Sequence, residues 1–393
     1  MISTFRGKYV ITGLGCLCVI LFGIMNLWKI QTVSTKNDQT VEMVDTGVIV
    51  RSQHDLVSSK FMDSSKVIDS INVMKPRNVI DSRKTMDSSN VIDSSKVEVL
   101  PHAFTYSNNT WQFGNLCKPY KTYQNRSDFP LVRFSTQAGI AKIFVHSTSI
   151  DGISSIIQRS GAFEVGTINR IIYELQKDDS LNLIDIGTNV GQHSIAAALI
   201  GRDSIAIDGA KSNIEHLCAT VQYLNLSKKV TMVYNIFSDS HEKRHVRYSA
   251  NNDHFGNTYV ESDGIANKML SAYKKGFFSD KTVAQSAATL DDLLRLPQIK
   301  HFKRVFIKLD VEGHEHKVLQ GGKEFFKTTY IAGMIMEWAW HKHRKTGDSI
   351  ISFMVERNFR PYEISRTRPR TQIDISDRDP NQWPQDIIWL PMK

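Results

Sequence analysis

The stretch Leu183-Ile184-Asp185-Ile186-Gly187-Thr188-Asn189-Val190-Gly191-Gln192-His193-Ser194 limits the fold more than any other part of the chain. An apolar strand closes on an acid, a turn with two glycines follows, and a helical pattern begins. Gly187 and Gly191 let the backbone turn tightly and approach a ligand closely. The helix start beyond them offers unpaired N–H donors and the positive end of a dipole. In open α/β sheets such a turn stands outside the carboxyl ends of the strands, where ligands bind. The spacing is G-x-N-x-G, which argues against a dinucleotide pyrophosphate, and no Walker lysine follows for a phosphate loop. A zwitterionic ligand with a nucleoside end fits better. Asp185 would hold its cationic amino-acid end. Asp208, 23 residues further on at the end of the next strand, would accept the ribose hydroxyls. The competing reading of these residues is an ordinary strand-to-helix turn with a capping Asn.

The surrounding pattern agrees with such a sheet. Leu181–Ile186, Ser204–Asp208, Val230–Tyr234, Val305–Asp310 and Ile331–Met336 read as short strands, and Val190–Ile200, Lys211–Leu224 and Glu315–Phe326 as helices. This alternation predicts an α/β domain with a mostly parallel, doubly wound sheet covered on both faces. Phe359–Ile364 and Asp386–Leu390 are expected to pair as an antiparallel hairpin at the sheet edge. The polar stretch from Ser240 to Ala287 reads as an insertion long enough to form a lid or substrate loop.

From Tyr9 to Trp28 twenty residues carry no charge. That is about the helical length a bilayer core of roughly 30 Å requires. Arg6 and Lys8 precede the run, and a positive flank stays cytosolic. The expectation is a single-pass type II membrane protein: residues 1–8 a cytosolic tail, 9–28 a transmembrane signal anchor, 29–104 a disordered stem and 105–393 the folded domain. A cleaved signal peptide is the alternative, but its apolar region runs about 7–15 residues, and Leu27-Trp28-Lys29 makes a poor cleavage site. The stem carries a 12-residue repeat (Val67-Ile68-Asp69-Ser70, Val79-Ile80-Asp81-Ser82, Val91-Ile92-Asp93-Ser94) with too few apolar residues to offset ordering entropy. Sequons at Asn108, Asn125 and Asn225 are compatible with lumenal exposure. Cys117 and Cys218 form one bridge in an oxidising compartment or remain two buried thiols. The net charge of +9 is spread out, without a basic block interleaved with aromatics, so nucleic acid is not an expected partner.

With Lys308-Leu309-Asp310-Val311-Glu312-Gly313-His314-Glu315, Leu290-Asp291-Asp292-Leu293-Leu294 and Met336-Glu337, the turn from Asp185 to Ser194 resembles the FkbM family of S-adenosylmethionine-dependent methyltransferases. The resemblance runs from about Glu164 to the C-terminus. It implies a Rossmann-like class I methyltransferase fold, S-adenosylmethionine as cofactor, and O-methylation of hydroxyls on sugars or polyketides. It implies that Asp185, Gly187, Asn189, Gly191 and Asp208 bind the cofactor, that Asp239 lies near the adenine, and that Glu164 closes over the methionine end. Two positions depart from the family pattern. Thr188 stands where Ala is usual, and Asp208-Gly209 where Glu-Pro is usual.

Methyl transfer to a hydroxyl requires an in-line approach and removal of one proton. Asp310, Glu312 and His314 are candidate bases at the carboxyl end of a strand. Lys308 would pair with one of the acids or orient the acceptor, and Glu337 would bind the acceptor or pair with a nearby cation. Alternate strand residues face opposite ways, so Lys308, Asp310 and Glu312 can share a face. The competing reading makes the acids caps of the helix that starts near His314. Among His314, His316, His341 and His343 no three have metal-ligand spacing, and no metal is expected. Trp338, Trp340, Trp383 and Trp389 would either stack on sugar rings or pack the core. The leading expectation is a Golgi or endoplasmic-reticulum enzyme, its domain lumenal, that methylates a glycan or another hydroxyl-bearing acceptor. The competing one is a non-catalytic protein similar in layout to the Star-type trafficking factors, which binds cargo protein.

Overall fold

The computed structural model describes residues 39–44, 47–52, 100–249, 259–260, 278–342, 344–364, 371–375 and 382–392. The chain divides into two compact units, Met1–Val91 and Ile92–Lys393. The expected span at 9–28 and the 12-residue repeats lie outside the described residues. Among the described residues no helix is long and apolar enough to cross a membrane. Within the expected stem β1 (Gln39–Val44) and β2 (Gly47–Ser52) pair antiparallel.

Beside a separate antiparallel pair of β5 (Leu131–Thr136) and β6 (Gly139–Phe144), with α1 (Gly152–Ser160) after β6, the second unit is built on a nine-stranded sheet. Its centre is β7 (Leu181–Ile186), flanked on one side by β8 (Ser204–Asp208) and then β9 (Val230–Tyr234). On the other side lie β13 (Arg304–Leu309) and β14 (Tyr330–Glu337). All five are parallel. β3 (Ala103–Ser107) joins β9 in parallel, and β4 (Thr110–Phe113) closes that edge antiparallel. The opposite edge is the expected hairpin: β16 (Asp386–Pro391) pairs with β14, and β15 (Phe359–Glu363) with β16. The chain lays down β7, β8 and β9 in one direction, then returns to place β13 and β14 on the other flank of β7. The β7/β13 boundary is therefore a topological switch point, where a crevice opens outside the strand ends.

Alternating side chains fill the two faces. Ile205, Ile207, Val233 and Ile307 pack against Leu319, Phe325, Ile350 and Met354 of three later helices, Glu315–Gln320, Lys323–Thr328 and Lys345–Glu356. Ala206 and Met232 face α2 (Val165–Leu175), α3 (Gln192–Leu199) and α4 (Lys211–Tyr223), where Ile168, Ile195 and Leu217 are fully buried. Cys117 and Cys218 form a disulfide with a Cα separation of 5.4 Å, which ties the segment after β4 to α4.

The structure sharpens three expectations. The helix Glu315–Phe326 is broken at Gly321-Gly322, where the chain presses on its neighbours. A Cβ on Gly321 would lie 2.2 Å from the Ser238 carbonyl oxygen, and one on Gly322 would lie 2.7 Å from Leu290. The Ser240–Ala287 insertion is in part an antiparallel sheet of β10 (Lys243–Ser249), β11 (Tyr259–Val260) and β12 (Phe278–Ser286). Trp338, Trp383 and Trp389 are buried in the core, which leaves Trp340 as the half-buried member of the four.

Candidate active site

At the end of β7 the Gly187 and Thr188 N–H groups both donate to the Ile207 carbonyl, at 2.9 and 3.0 Å. Gly187 has φ +82, and a Cβ there would lie 1.6 Å from the carbonyl oxygen of Asp310. The two strand ends thus touch backbone to backbone, which only glycine permits. Asn189 has φ 52, and its Oδ1 accepts from the Val190 N–H at 2.7 Å. Gly191, at φ +88, starts α3 against Leu217.

Asp208 closes the other side of this turn. Its carboxylate accepts from the Asn189 N–H at 2.9 Å and from the Ala210 N–H at 2.7 Å. Burial pushes its pKa up to about 6, against the pull of those two donors. Asp185 is fully buried. Its Oδ2 accepts from the Thr188 and Ser194 hydroxyls, at 2.7 and 2.8 Å, while its Oδ1 is sealed from solvent without a partner. Burial raises this carboxyl, and the Lys308 charge opposes the rise. Thr188, the departure from the family pattern, thus holds the acid at the strand end.

Lys308 pairs in register with Asp185 across β7 and β13. Its buried Nζ donates to Asp310 at 2.9 Å and to the Gly187 carbonyl at 3.4 Å. Burial works against its charge, but Asp310, Asp185 and Glu164 more than compensate and raise its pKa. Burial also works to raise the Asp310 carboxyl, and Lys308 overrides it, so Asp310 is held below the usual range. Glu164 begins α2 with φ 51 and makes no side-chain cap. Burial lifts it to about 7, with Lys308 opposing and Asp310 assisting.

Past β13 the chain makes a turn the strand pattern did not foresee. Glu312 has φ 55 and Gly313 φ 92, so the alternation ends at Leu309. Burial, then Asp310 and Glu315, raise the Glu312 carboxyl. Neither acid caps the following helix, whose N-cap His314 makes no side-chain cap bond. His314 Nε2 meets the Ser238 hydroxyl at 3.0 Å, and burial depresses its pKa to about 3. Next to it, Asp239 accepts from Lys317 at 2.6 Å and Arg244 at 3.3 Å.

Three acids converge on this side of the crevice. Carboxylate oxygens of Asp310, Glu315 and Glu337 all lie within 4.8 Å of one another. Glu315 is fully buried, its Oε1 accepting from the Val311 N–H at 2.8 Å and its Oε2 meeting His341 Nε2 at 2.7 Å. Burial and then Asp310 raise Glu337, whose Oε2 is sealed without a partner. Asp386, opposite Glu337 in the β14/β16 register, is raised to about 6 by burial and then Asp310. Sequence reasoning missed Asp386 and His193. Glu315 stood inside a motif already singled out, but its charge was not weighed. His193 lies in the first turn of α3, 4 % exposed, with a buried Nε2 that has no partner.

Residues 185–361 match the family model described as Methyltransferase FkbM domain. Among solved structures, the chain is similar to precorrin-6y C5,15-methyltransferase from Geobacter metallireducens, with 11% identity over 59% of this chain and 89% of that one and a TM-score of 0.29. It is similar to a SAM-dependent methyltransferase from Agrobacterium tumefaciens, with 9% identity over 72% and 74% of the two chains and a TM-score of 0.32. A third is magnesium protoporphyrin IX methyltransferase from Synechocystis with bound SAM, with 10% identity over 62% and 93% and a TM-score of 0.29. No curated protein sequence matches the chain.

Proposed function

Residues 185–361 are an FkbM methyltransferase domain, and from that premise we propose that the chain is an S-adenosylmethionine-dependent O-methyltransferase acting on a glycan hydroxyl in the lumen of the Golgi or endoplasmic reticulum, behind a membrane span at residues 9–28. The observation that carries the cofactor reading is the Asp208 carboxylate, buried and fixed by two backbone donors beside the Gly187–Gly191 turn at the sheet's switch point. The orphaned Oδ1 of Asp185 fits the same ligand, since a buried acceptor calls for a donor and the cofactor's amino-acid end brings an ammonium.

When bound, S-adenosylmethionine supplies an electrophilic methyl group on a sulfonium. Asp208 would hold the ribose hydroxyls, and Asp185 and Glu164 the methionine end. Asp239, already paired with Lys317 and Arg244 beside Ser238, would be the residue toward the adenine. Lys308 keeps Asp310 ionised and in place. The Asp310 carboxylate accepts the hydrogen of the acceptor hydroxyl, aims its oxygen, and takes the proton as that oxygen is alkylated. A hydroxyl proton becomes strongly acidic at that moment, so a carboxylate of low basicity suffices. Glu312, raised, remains protonated longer and donates to another acceptor oxygen. Trp340, half-buried beside the crevice motif, offers an indole face where a sugar ring would stack.

Two features support the lumenal reading. The Cys117–Cys218 disulfide belongs to an oxidising compartment. The three sequon residues Asn108, Asn125 and Asn225 are all exposed, each in a turn with positive φ. The test follows labelled methyl transfer from S-adenosylmethionine to a pool of glycans by the detergent-solubilised chain. Transfer is expected in the wild type. Asp310→Asn should lower the rate by about 10²–10⁴-fold with cofactor affinity retained, the range for removing a general base. Transfer at the wild-type rate by Asp310→Asn would reject its role, and cofactor binding without transfer to any glycan would reject the acceptor class.

A further inference from the structure

The acceptor side of the crevice holds more negative charge than its own cations answer, and we propose that Asp310, Glu315 and Glu337 together bind a divalent metal ion of the hard, oxygen-seeking kind: Mg²⁺, Mn²⁺ or Ca²⁺. This goes beyond the methyltransferase reading and does not depend on it.

The three acids reach one point from three elements: the end of β13, the first turn of the helix Glu315–Gln320 and the end of β14. Their oxygens lie within 4.8 Å of one another. Two ligands on opposite sides of one ion stand twice the bond length apart, about 4–5 Å for bonds of about 2.1–2.5 Å. One ion therefore reaches all three. An all-oxygen set suits hard cations. Glu315 is oriented as a metal-binding carboxylate is. The Val311 N–H and His341 Nε2 fix its two oxygens, and His341 Nδ1 in turn meets the Thr346 hydroxyl at 3.0 Å.

Two unsatisfied atoms point to an occupant. Glu337 Oε2 is sealed from solvent and accepts nothing. His193 is an independent sign, because it belongs to α3 and to none of the acid-bearing elements. It is 4 % exposed, its Nε2 has no partner, and its ring is within electrostatic reach of Asp310 and Lys308. An ion would satisfy Glu337, and a water or acceptor hydroxyl carried on that ion would give His193 a partner. Buried polar atoms are otherwise almost always paired. Lys308 already neutralises one charge on Asp310, so the ion answers the charge of Glu337 and Glu315.

The test uses the full chain in detergent, stripped with chelator and titrated with MnCl₂. Bound Mn²⁺ is counted by electron paramagnetic resonance, and thermal unfolding is followed on the same samples. A single Mn²⁺ per chain, a raised Tm, and displacement by Mg²⁺ or Ca²⁺ are expected. Glu337→Gln keeps the size and removes one charged ligand, so Mn²⁺ affinity should fall about tenfold or more, since affinity follows ligand charge. Asp310→Asn should do the same, which guards against a folding defect in either variant. A folded wild-type chain that binds no Mn²⁺, or binds it equally well after both substitutions, overturns the inference; a proton shared between Asp310 and Glu337 then occupies the place of the ion. S-adenosylmethionine affinity, read by calorimetry on the same samples, keeps the two ideas apart. Cofactor binding without Mn²⁺ sinks only the metal site, and Mn²⁺ binding without cofactor sinks only the methyltransferase reading.

Discussion

Two glycines of the cofactor turn look alike in the sequence, yet their surroundings set them apart. At Gly187 an added methyl meets the Asp310 carbonyl oxygen at 1.6 Å, and backbone cannot step aside. At Gly191 it meets the far end of the Leu217 side chain at 2.3 Å, which can rotate. Gly187→Ala should therefore cost more than the about 1–3 kcal/mol of backbone strain that both share, and Gly191→Ala should stay near that range. Thermal unfolding of the two variants checks the order. Thr188→Val should also destabilise, by about 1–3 kcal/mol, because it leaves a buried acceptor of Asp185 one donor short. The turn residues were legible because they are contiguous and their spacing has a mechanical reason. The acid cluster was not. Asp310, Glu315, Glu337 and Asp386 come from distant stretches, and only the pairing of β14 with β13 and β16 brings them together. The hydrogen bond between His314 and Ser238 was hidden for a related reason: Glu312 and Gly313 adopt positive φ and turn the chain, so strand alternation no longer says where the next side chain points.

The short 3₁₀ helix Leu290–Arg295 shows how one residue can join elements. Asp292 accepts from the backbone and hydroxyl of Thr289, from Tyr106 of β3 at 2.8 Å and from His241 at 2.7 Å. Burial works to raise its carboxyl, but these donors bring it down to about 2. The folded-state pKa lies below the ordinary Asp value, so the stabilisation is complete above about pH 4 and is lost as pH falls toward about 2. Asp292→Asn should lower Tm at neutral pH, and the gap from wild type should narrow as pH descends through that window. A gap that stays constant would contradict the assignment. At this scale the sequence was most readable where strands are buried on both faces, since such strands are short unbroken apolar runs. It was least readable where tertiary contact overrides pattern. The helical periodicity across Gly321-Gly322 is interrupted by the Ser238 carbonyl and Leu290, neither of which is near in sequence. The insertion between β9 and the Leu290 helix carries polar residues throughout, so its antiparallel pairing left little periodic signal.

The disulfide closes a separation of 101 residues and links the segment after β4 to α4. Replacing Cys117 and Cys218 by Ser should cost about 2–5 kcal/mol, the usual range for a native bridge, read as a lower Tm that reductant also produces in the wild type. Equal Tm values with and without reductant would contradict a stabilising bridge. The lumenal proposal makes its own demand: glycosidase should shift the mobility of the expressed protein through Asn108, Asn125 or Asn225, and a domain fully digested by protease in sealed microsomes would refute the orientation. Neither result bears on the chemistry. Its foundation is that the crevice between the β7 turn and Asp208 binds S-adenosylmethionine. Calorimetry of that cofactor with the folded chain, wild type beside Asp208→Ala, tests this most directly. Saturable binding is expected in the wild type, weakened by about 1–3 kcal/mol in the variant, the range for hydrogen bonds to a charged group. No binding by a folded wild-type chain, or equal affinity in the two proteins, would contradict it.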